Sequence, residues 1–122
     1  MRSLFLPLLL ASATITLAAD DAAFNGKWQL QQSISGNEST QTCTFTQKGT
    51  DLSGSCAGQQ GPVQINGKID GKKVNWMFKG EYNGSPLTVR YAGAMDDQKK
   101  ISGTVTVEEY SVSGDFTATP AQ

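Results

Sequence analysis

The chain contains no histidine, and it has only two cysteines among its 122 residues. A cysteine–histidine nucleophilic pair is therefore impossible, and a zinc site normally needs more histidine and cysteine ligands than this chain supplies. The lysines and arginines are scattered, and the formal net charge is −1. Proteins that bind nucleic acid usually carry a clustered basic surface, so we expect no nucleic-acid partner, no metal and no cofactor.

Long apolar runs are also missing. The run at residues 4–10 is well short of the roughly 20 residues that span a bilayer. Arg2 precedes this run and a small-residue site ending at Ala19 follows it, which is the arrangement of an export signal. We therefore predict a signal peptide at 1–19 and a single mature domain at 20–122, located in the periplasm or secreted.

The two cysteines fit an exported protein. In an oxidising compartment, two cysteines without histidine are more typical of a disulfide than of a metal site or a catalytic thiol. We therefore predict one disulfide between Cys43 and Cys56.

Apolar and polar residues alternate with a period of two along most of the mature chain, which predicts β-strands. Turn residues separate these stretches, for example at Lys48–Asp51 and Asn83–Gly84. Asp70–Gly71 is typical of a two-residue type I′ turn. The predicted strands are residues 26–32, 41–47, 51–57, 62–69, 73–80, 86–95, 99–107 and 111–118.

Eight sequential strands with short connections predict an all-β fold, an antiparallel up-and-down (meander) β-barrel, because eight meandering strands can close on themselves. The alternation places apolar side chains inside and polar side chains, such as Thr88 and Arg90, outside. Outer-membrane barrels have the opposite arrangement, with apolar side chains facing lipid. We therefore expect that the barrel does not insert into a membrane. We also expect a monomer.

Five glycines lie in the pattern apolar-x-Gly-x-apolar and share the inward face with the apolar residues. A small barrel coils its strands tightly, and an inward glycine removes the side chain that would collide at the bend. We predict that these glycines serve closure and packing; the alternative is that they hollow out a cavity. They are Gly54, Gly67, Gly93, Gly103 and Gly114.

The turn at Lys48–Asp51 also predicts the register of its hairpin. Counting outward from the turn, Phe45 faces Gly54. Cys43 then faces Cys56, so both sulfurs lie on the inner face. Directly opposed residues have Cα atoms about 4.5–5.5 Å apart, which a disulfide tolerates.

The carboxylates offer no catalytic constellation. Every Asp and Glu of the mature chain falls at a turn, near the N-terminus, in the loop after the first strand or on an outward strand position. Acid–base enzymes need a positioned group of perturbed pKa. No serine lies in a nucleophile-elbow phrase, and no glycine-rich loop leads into a helix. We therefore expect no enzymatic activity.

A Gly26-x-Trp28 phrase opens the first strand, and a Leu-x-Gly-x phrase follows the first sharp turn. With eight meandering strands, these features resemble the avidin and lipocalin class of small ligand-binding barrels. The resemblance implies a small molecule held in the lumen between aromatic side chains; the alternative for each ring is ordinary core. By position these rings are Trp28, Phe45, Trp76, Tyr91 and Phe116.

A second resemblance lies at the start of the mature chain. The run from Phe24 to Gln32, followed by Cys43 and Cys56, is similar to the opening of the periplasmic inhibitors of secreted bacterial metalloproteases. This resemblance implies a small eight-stranded barrel that inhibits by placing an N-terminal arm, here residues 20–25, in the protease cleft.

The sequence thus predicts a secreted or periplasmic barrel that binds something. A small hydrophobic ligand in the lumen is the first hypothesis, because an eight-stranded barrel is just wide enough to be filled or to hold one ligand. A protein partner, as for the protease inhibitors, is the second. A packed barrel that acts through its loops or outer face is the third.

Overall fold

The computed structural model describes residues 23–58 and 61–121. The signal peptide predicted at 1–19 lies outside the described residues. The described residues form eight strands and a 3₁₀ turn at Glu108–Tyr110, and none of them belongs to a helix long and apolar enough to cross a membrane. The strands are β1 (Gly26–Ile34), β2 (Asn37–Lys48), β3 (Asp51–Gly58), β4 (Gly61–Asp70), β5 (Lys73–Tyr82), β6 (Ser85–Met95), β7 (Ile101–Val107) and β8 (Val112–Pro120).

Each strand pairs antiparallel with its neighbours in sequence, and β1 pairs with β8, so the sheet closes into a barrel. At the closure, Leu30 faces Ala118 and Ile34 faces Gly114. This confirms the predicted eight-stranded up-and-down barrel. The connections after β1, β3, β5 and β7 lie at what we name the upper end, and the other connections lie with the start of β1 at the lower end.

The first hairpin is longer than predicted. The prediction left residues 33–40 outside the strands, whereas β1 and β2 continue to a two-residue turn at Ser35–Gly36. Both turn residues have positive φ, 51° and 82°, as a type I′ turn requires. Serine is a weaker signal for this turn than asparagine or aspartate, which explains the missed strand ends.

The turn between β4 and β5 is shifted by one residue from the prediction. Asp70 pairs with Lys73, so the turn residues are Gly71 and Lys72 and not Asp70–Gly71. The pattern correctly identified the glycine with positive φ, which is 63° at Gly71, but placed it second in the turn instead of first.

The alternation correctly predicted the buried face, with one exception on the outer surface. Thr88 faces outward but is only 8% exposed, because Glu109 of the 3₁₀ turn folds over it. Its backbone N–H and its hydroxyl donate to the two Glu109 carboxylate oxygens, at 2.6 and 2.7 Å. The prediction that Thr88 meets water is therefore wrong, since alternation reports the face of a strand and not what covers it.

The five inward glycines lie where neighbouring strands approach closely. A Cβ added at Gly67 would lie 1.9 Å from the carbonyl oxygen of Asn75, and one at Gly114 would lie 1.8 Å from that of Ser33. The other three would meet a carbonyl oxygen of an adjacent strand at 2.0 to 2.4 Å. These contacts support the prediction that the glycines serve closure and packing.

The disulfide lies across β2 and β3 in the predicted register. Cys43 faces Cys56 and Phe45 faces Gly54. The cysteine Cα atoms are 4.0 Å apart, slightly closer than the predicted range. Both cysteines are buried, so the bridge fastens the inner face of this hairpin.

Candidate functional site

The five aromatic residues predicted to line the lumen form one buried cluster. Trp76 is at its centre, with ring centroids 5.0 Å from Phe45, 4.9 Å from Tyr91 and 5.3 Å from Phe116. Trp28 joins through Phe45 at 6.2 Å. Aromatic pairs at these separations are in favourable contact. The rings therefore pack on one another in the middle of the barrel, and a role for them in binding a ligand stays a prediction.

The lower end of the barrel is closed by Phe24, which precedes β1 and is 1% exposed. Backbone and side-chain hydrogen bonds hold it there. The Phe24 N–H donates to Gln47 Oε1, and the Phe24 carbonyl accepts from Trp28 Nε1, each at 3.0 Å. The Gln47 N–H donates in turn to Asn25 Oδ1 at 2.5 Å. This network seals the lower end with a side chain that the strand pattern does not include.

Tyr91 separates the aromatic cluster from the upper part of the lumen. Its ring stacks on Trp76, with centroids 4.9 Å apart, and on Phe78, with centroids 6.4 Å apart. Phe78 is two residues nearer the upper end than Trp76 on the same strand. The Tyr91 ring therefore forms the floor of the upper lumen.

Two glutamines hold this floor from the opposite wall. The Tyr91 hydroxyl donates to Gln32 Oε1 at 2.5 Å and accepts from Gln41 Nε2 at 3.4 Å. Burial raises the pKa of Tyr91 far above its ordinary value, and the hydrogen bond from Gln41 opposes that rise only partly. The phenol is therefore neutral over the physiological pH range, and it serves as a hydrogen-bonding group and not as an acid or a base.

The wall above the floor is apolar. Val89 and Val107 are buried there, and five further side chains pack against the core while retaining contact with solvent. We name this region, the wall with its floor of Tyr91, Gln32 and Gln41, the upper cup. The partly exposed wall residues are Ile34, Val63, Phe78, Leu87 and Val112.

The two glutamines were missed as candidate site residues. The predicted strands placed Gln32 at the last position of its strand and Gln41 at the first position of the next, next to a presumed loop. Both share parity with buried neighbours, Leu30 and Cys43 respectively, so the inward direction was already present in the alternation. The sequence pattern did not predict that both side chains reach Tyr91 across the barrel.

Charge is confined to the outer surface in the part of the chain that the structure describes. No inward strand position in residues 26–58 or 61–120 is occupied by Asp, Glu, Lys or Arg. Ion pairs such as Lys68–Asp51 and Arg90–Glu108 lie on the exposed surface, where each contributes little to stability. The upper cup is therefore an uncharged site with three hydrogen-bonding side chains.

Two exposed aromatic rings lie beside the upper cup. Tyr82, at the end of β5, is 58% exposed, and Tyr110, in the 3₁₀ turn, is 50% exposed. Their rings meet edge to face at 6.3 Å. Tyrosine is enriched at recognition surfaces because it joins apolar area to a polar tip.

The structure also limits the N-terminal arm expected from the inhibitor resemblance. Of residues 20–25, Phe24 is buried in the lower end, and Asn25 accepts a hydrogen bond from β2. These two residues are part of the barrel and cannot extend from it without opening its lower end. Residues 20–22 lie outside the described part of the chain.

Comparison with known proteins identifies the fold without naming a function. No model of a protein family matches the chain, and a search of curated proteins finds no significant match. Among solved structures, the chain is similar to a redesigned β-barrel, with a TM-score of 0.63 and 14% identity over 84% of this chain and 96% of that one. No avidin, lipocalin or inhibitor family is named. At this identity the likeness shows the fold alone, an eight-stranded antiparallel β-barrel.

Proposed function

We propose that this protein binds a small, largely apolar molecule through the upper end of its barrel. The observation that carries the proposal is the contrast between the two ends. Phe24 is buried and closes the lower end, whereas the apolar wall of the upper cup stays partly exposed above a polar floor. Ligand sites commonly combine an apolar lining with a few placed polar groups.

In this proposal the ligand lies in the upper cup and meets the aromatic cluster from above. Phe78 and Tyr91 would contact it first. The Phe116 ring meets Tyr91 directly, and Trp28 and Phe45 connect to it through Trp76. This is the avidin-like and lipocalin-like mode of binding, with the contact surface moved toward the upper end. The protein holds its ligand without transforming it, since the upper cup has no charged side chain to carry acid–base chemistry.

We further propose that the protein is a monomer and that it acts in the periplasm or outside the cell. The support for this location is the disulfide between Cys43 and Cys56, because disulfides persist in oxidising compartments and are rare in the cytosol. The expected export signal at 1–19 is consistent with this location.

A fluorescence titration with N-phenyl-1-naphthylamine, a neutral apolar probe, tests the proposal. The matched variants are Phe78→Gln, in the wall of the upper cup, and Met77→Gln, on the outer face of the same strand. We expect Phe78→Gln to weaken binding about tenfold, which corresponds to roughly 1.4 kcal/mol, because part of a buried phenyl contact is lost. Met77→Gln should bind like the unmodified protein.

Unfolding curves for both variants establish that the barrel is intact before binding is compared. If the two variants bind the probe with equal affinity, the probe binds outside the upper cup. No binding by the unmodified protein would favour a barrel that is simply packed.

A second candidate function, recognition of a protein partner, is favoured by the exposed Tyr82–Tyr110 pair. Its sharpest version is inhibition of a secreted bacterial metalloprotease, measured with the full mature chain. If this pair makes the contact, Tyr82→Ser with Tyr110→Ser should abolish inhibition while leaving probe binding unchanged. Inhibition that survives this double change but is lost on deletion of residues 20–22 would support the N-terminal arm instead.

A further inference from the structure

The ladder of backbone pairs between β4 and β5 stops partway up the barrel. Its last pair is Asn66 with Met77, although β4 extends further to Gly61 and β5 to Tyr82. The ladder between β2 and β3 also stops early, but β3 itself ends two residues later. The longer opening therefore lies between β4 and β5. We name it the seam, and it consists of residues 61–65 and 78–82.

Pro62 explains why this ladder stops. In an antiparallel ladder, hydrogen-bonded pairs recur at every second residue. Counted from the two-residue turn at Gly71–Lys72, this series places Pro62 opposite Glu81, and proline has no N–H to donate. The backbone N–H and C=O groups of Lys79 and Glu81 therefore point toward β4, where the register of the described strands gives them no partner.

A cavity of about 510 Å³ lies along the seam. Its lining includes the outward-facing residues Gln64 and Asn66 of β4 and Met77 and Lys79 of β5. An unpaired strand edge is a template on which an extended peptide can add as a further strand. In such complexes main-chain hydrogen bonds give affinity, and pockets for alternate side chains give specificity. The seam offers both the backbone groups and the room for this kind of binding.

Gly80 leaves the inner side of the seam open. A Cβ added there would meet only the Phe78 ring, at 3.6 and 3.9 Å, so neither a positive φ nor a close strand approach requires glycine. Leu87, the residue opposite on β6, does not come within 4 Å of that added atom. Glycine weakens a strand, so its effect at this position is to preserve space beside Phe78.

Other inward glycines of the barrel show what fills such a space. At three of them the residue directly opposite on a neighbouring strand is aromatic. The pairs are Gly54–Phe45, Gly67–Trp76 and Gly103–Phe116. A large ring opposite a glycine occupies the room that the missing side chain leaves. Gly80 has no residue paired with it on β4, so this barrel supplies no ring from that side.

We propose that the seam binds an extended peptide segment of a partner protein, which adds as a strand to the upper edge of β5 and places an aromatic side chain opposite Gly80. The backbone groups of Lys79 and Glu81 pair with the main chain of the segment, and its aromatic ring contacts Phe78. The inference goes beyond the proposed function and does not rest on it.

Three peptides with one frame test the site by nuclear magnetic resonance. The first is acetyl-Lys-Thr-Thr-Phe-Thr-Thr-Lys-amide, the second has alanine in place of phenylalanine, and the third carries N-methyl groups on the two threonines beside phenylalanine. We expect the phenylalanine peptide, at millimolar concentration, to shift the Lys79 and Glu81 amide resonances and to protect both amides from hydrogen exchange. The alanine peptide should bind about tenfold more weakly, because it buries no ring. The methylated peptide should also bind more weakly, because it lacks the main-chain donors.

Two variants test the ring contact and the main-chain contact separately. Gly80→Val fills the space opposite the ring, so it should remove the preference for the phenylalanine peptide over the alanine peptide. Glu81→Pro removes a donor that faces the seam, so it should weaken the phenylalanine peptide about three- to tenfold, the usual net worth of one hydrogen bond. Glu81→Thr keeps the donor and is the matched control, with unchanged affinity. Unfolding curves show whether each variant is folded, and if one is not, the peptide series on the unmodified protein still decides.

The outcomes separate this inference from the proposed function. Peptides that leave the Lys79 and Glu81 amides unchanged would overturn the inference. So would equal binding of all three peptides, because neither the ring nor the main chain would then be recognised. The titration with N-phenyl-1-naphthylamine decides the small-molecule proposal independently, so either proposal can fail while the other stands.

Discussion

Replacing Gly67 with alanine would place a methyl group where the neighbouring strand runs. An ideal Cβ would lie 1.9 Å from the carbonyl oxygen of Asn75 and 2.8 Å from the Cα of Trp76. Both are backbone atoms, so no side-chain rotation relieves the overlap and β4 must separate from β5. We expect Gly67→Ala to lower the free energy of unfolding by about 3 kcal/mol, the upper end of the usual cost of overpacking.

Gly80 is a matched control on β5. It also faces inward, but an added Cβ would meet only the Phe78 side chain, at 3.6 Å, which is ordinary contact. Alanine reduces the conformational entropy of the unfolded chain, so Gly80→Ala should be neutral or stabilise by up to about 1 kcal/mol.

Thermal unfolding followed by far-ultraviolet circular dichroism, with the disulfide intact, compares the two variants. For a domain of this size each 1 kcal/mol shifts Tm by roughly 4–8 °C, so Gly67→Ala should melt roughly 12–24 °C below the unmodified protein. A Tm for Gly67→Ala that matches that of Gly80→Ala would refute the reasoning, because the close strand approach would then carry no energetic cost.

Two further predictions concern the disulfide and the outer surface. Replacing both Cys43 and Cys56 with alanine should lower the free energy of unfolding by about 3 kcal/mol, as expected for a loop of this length. Urea unfolding of the double variant checks this, and an unchanged midpoint would contradict it. Hydrogen bonds from the backbone and side chain of Thr88 hold the pKa of Glu109 below its ordinary value. The resulting stabilisation is present above about pH 4.3, the ordinary pKa of glutamate, and is lost as the pH falls through the lowered value. The Tm difference between the unmodified protein and Glu109→Gln should therefore shrink on acidification, and a difference that stays constant would exclude this role.

Much of the fold was contained in local sequence pattern. Strict alternation sets which side chains share a face, and together with the turn positions it predicted eight strands, the inward aromatic residues and the register that places Cys43 opposite Cys56. The errors fell where the local signal was weak. Ser35 and Gly36 form a turn without the asparagine or aspartate that usually marks it, so the ends of β1 and β2 were missed, and with them the reach of Gln32 and Gln41.

The candidate site depended on contacts that only the closed barrel creates. Tyr91 meets Gln32 and Gln41, which are 59 and 50 residues away in sequence. Phe24 lies outside every strand and yet closes the lower end. The sequence by itself determined the strands, their faces and the register of the disulfide hairpin, because these follow from a period of two and from turn position. The tertiary structure decided which end is closed and what Tyr91 touches, because closure of the barrel sets the distances across the lumen.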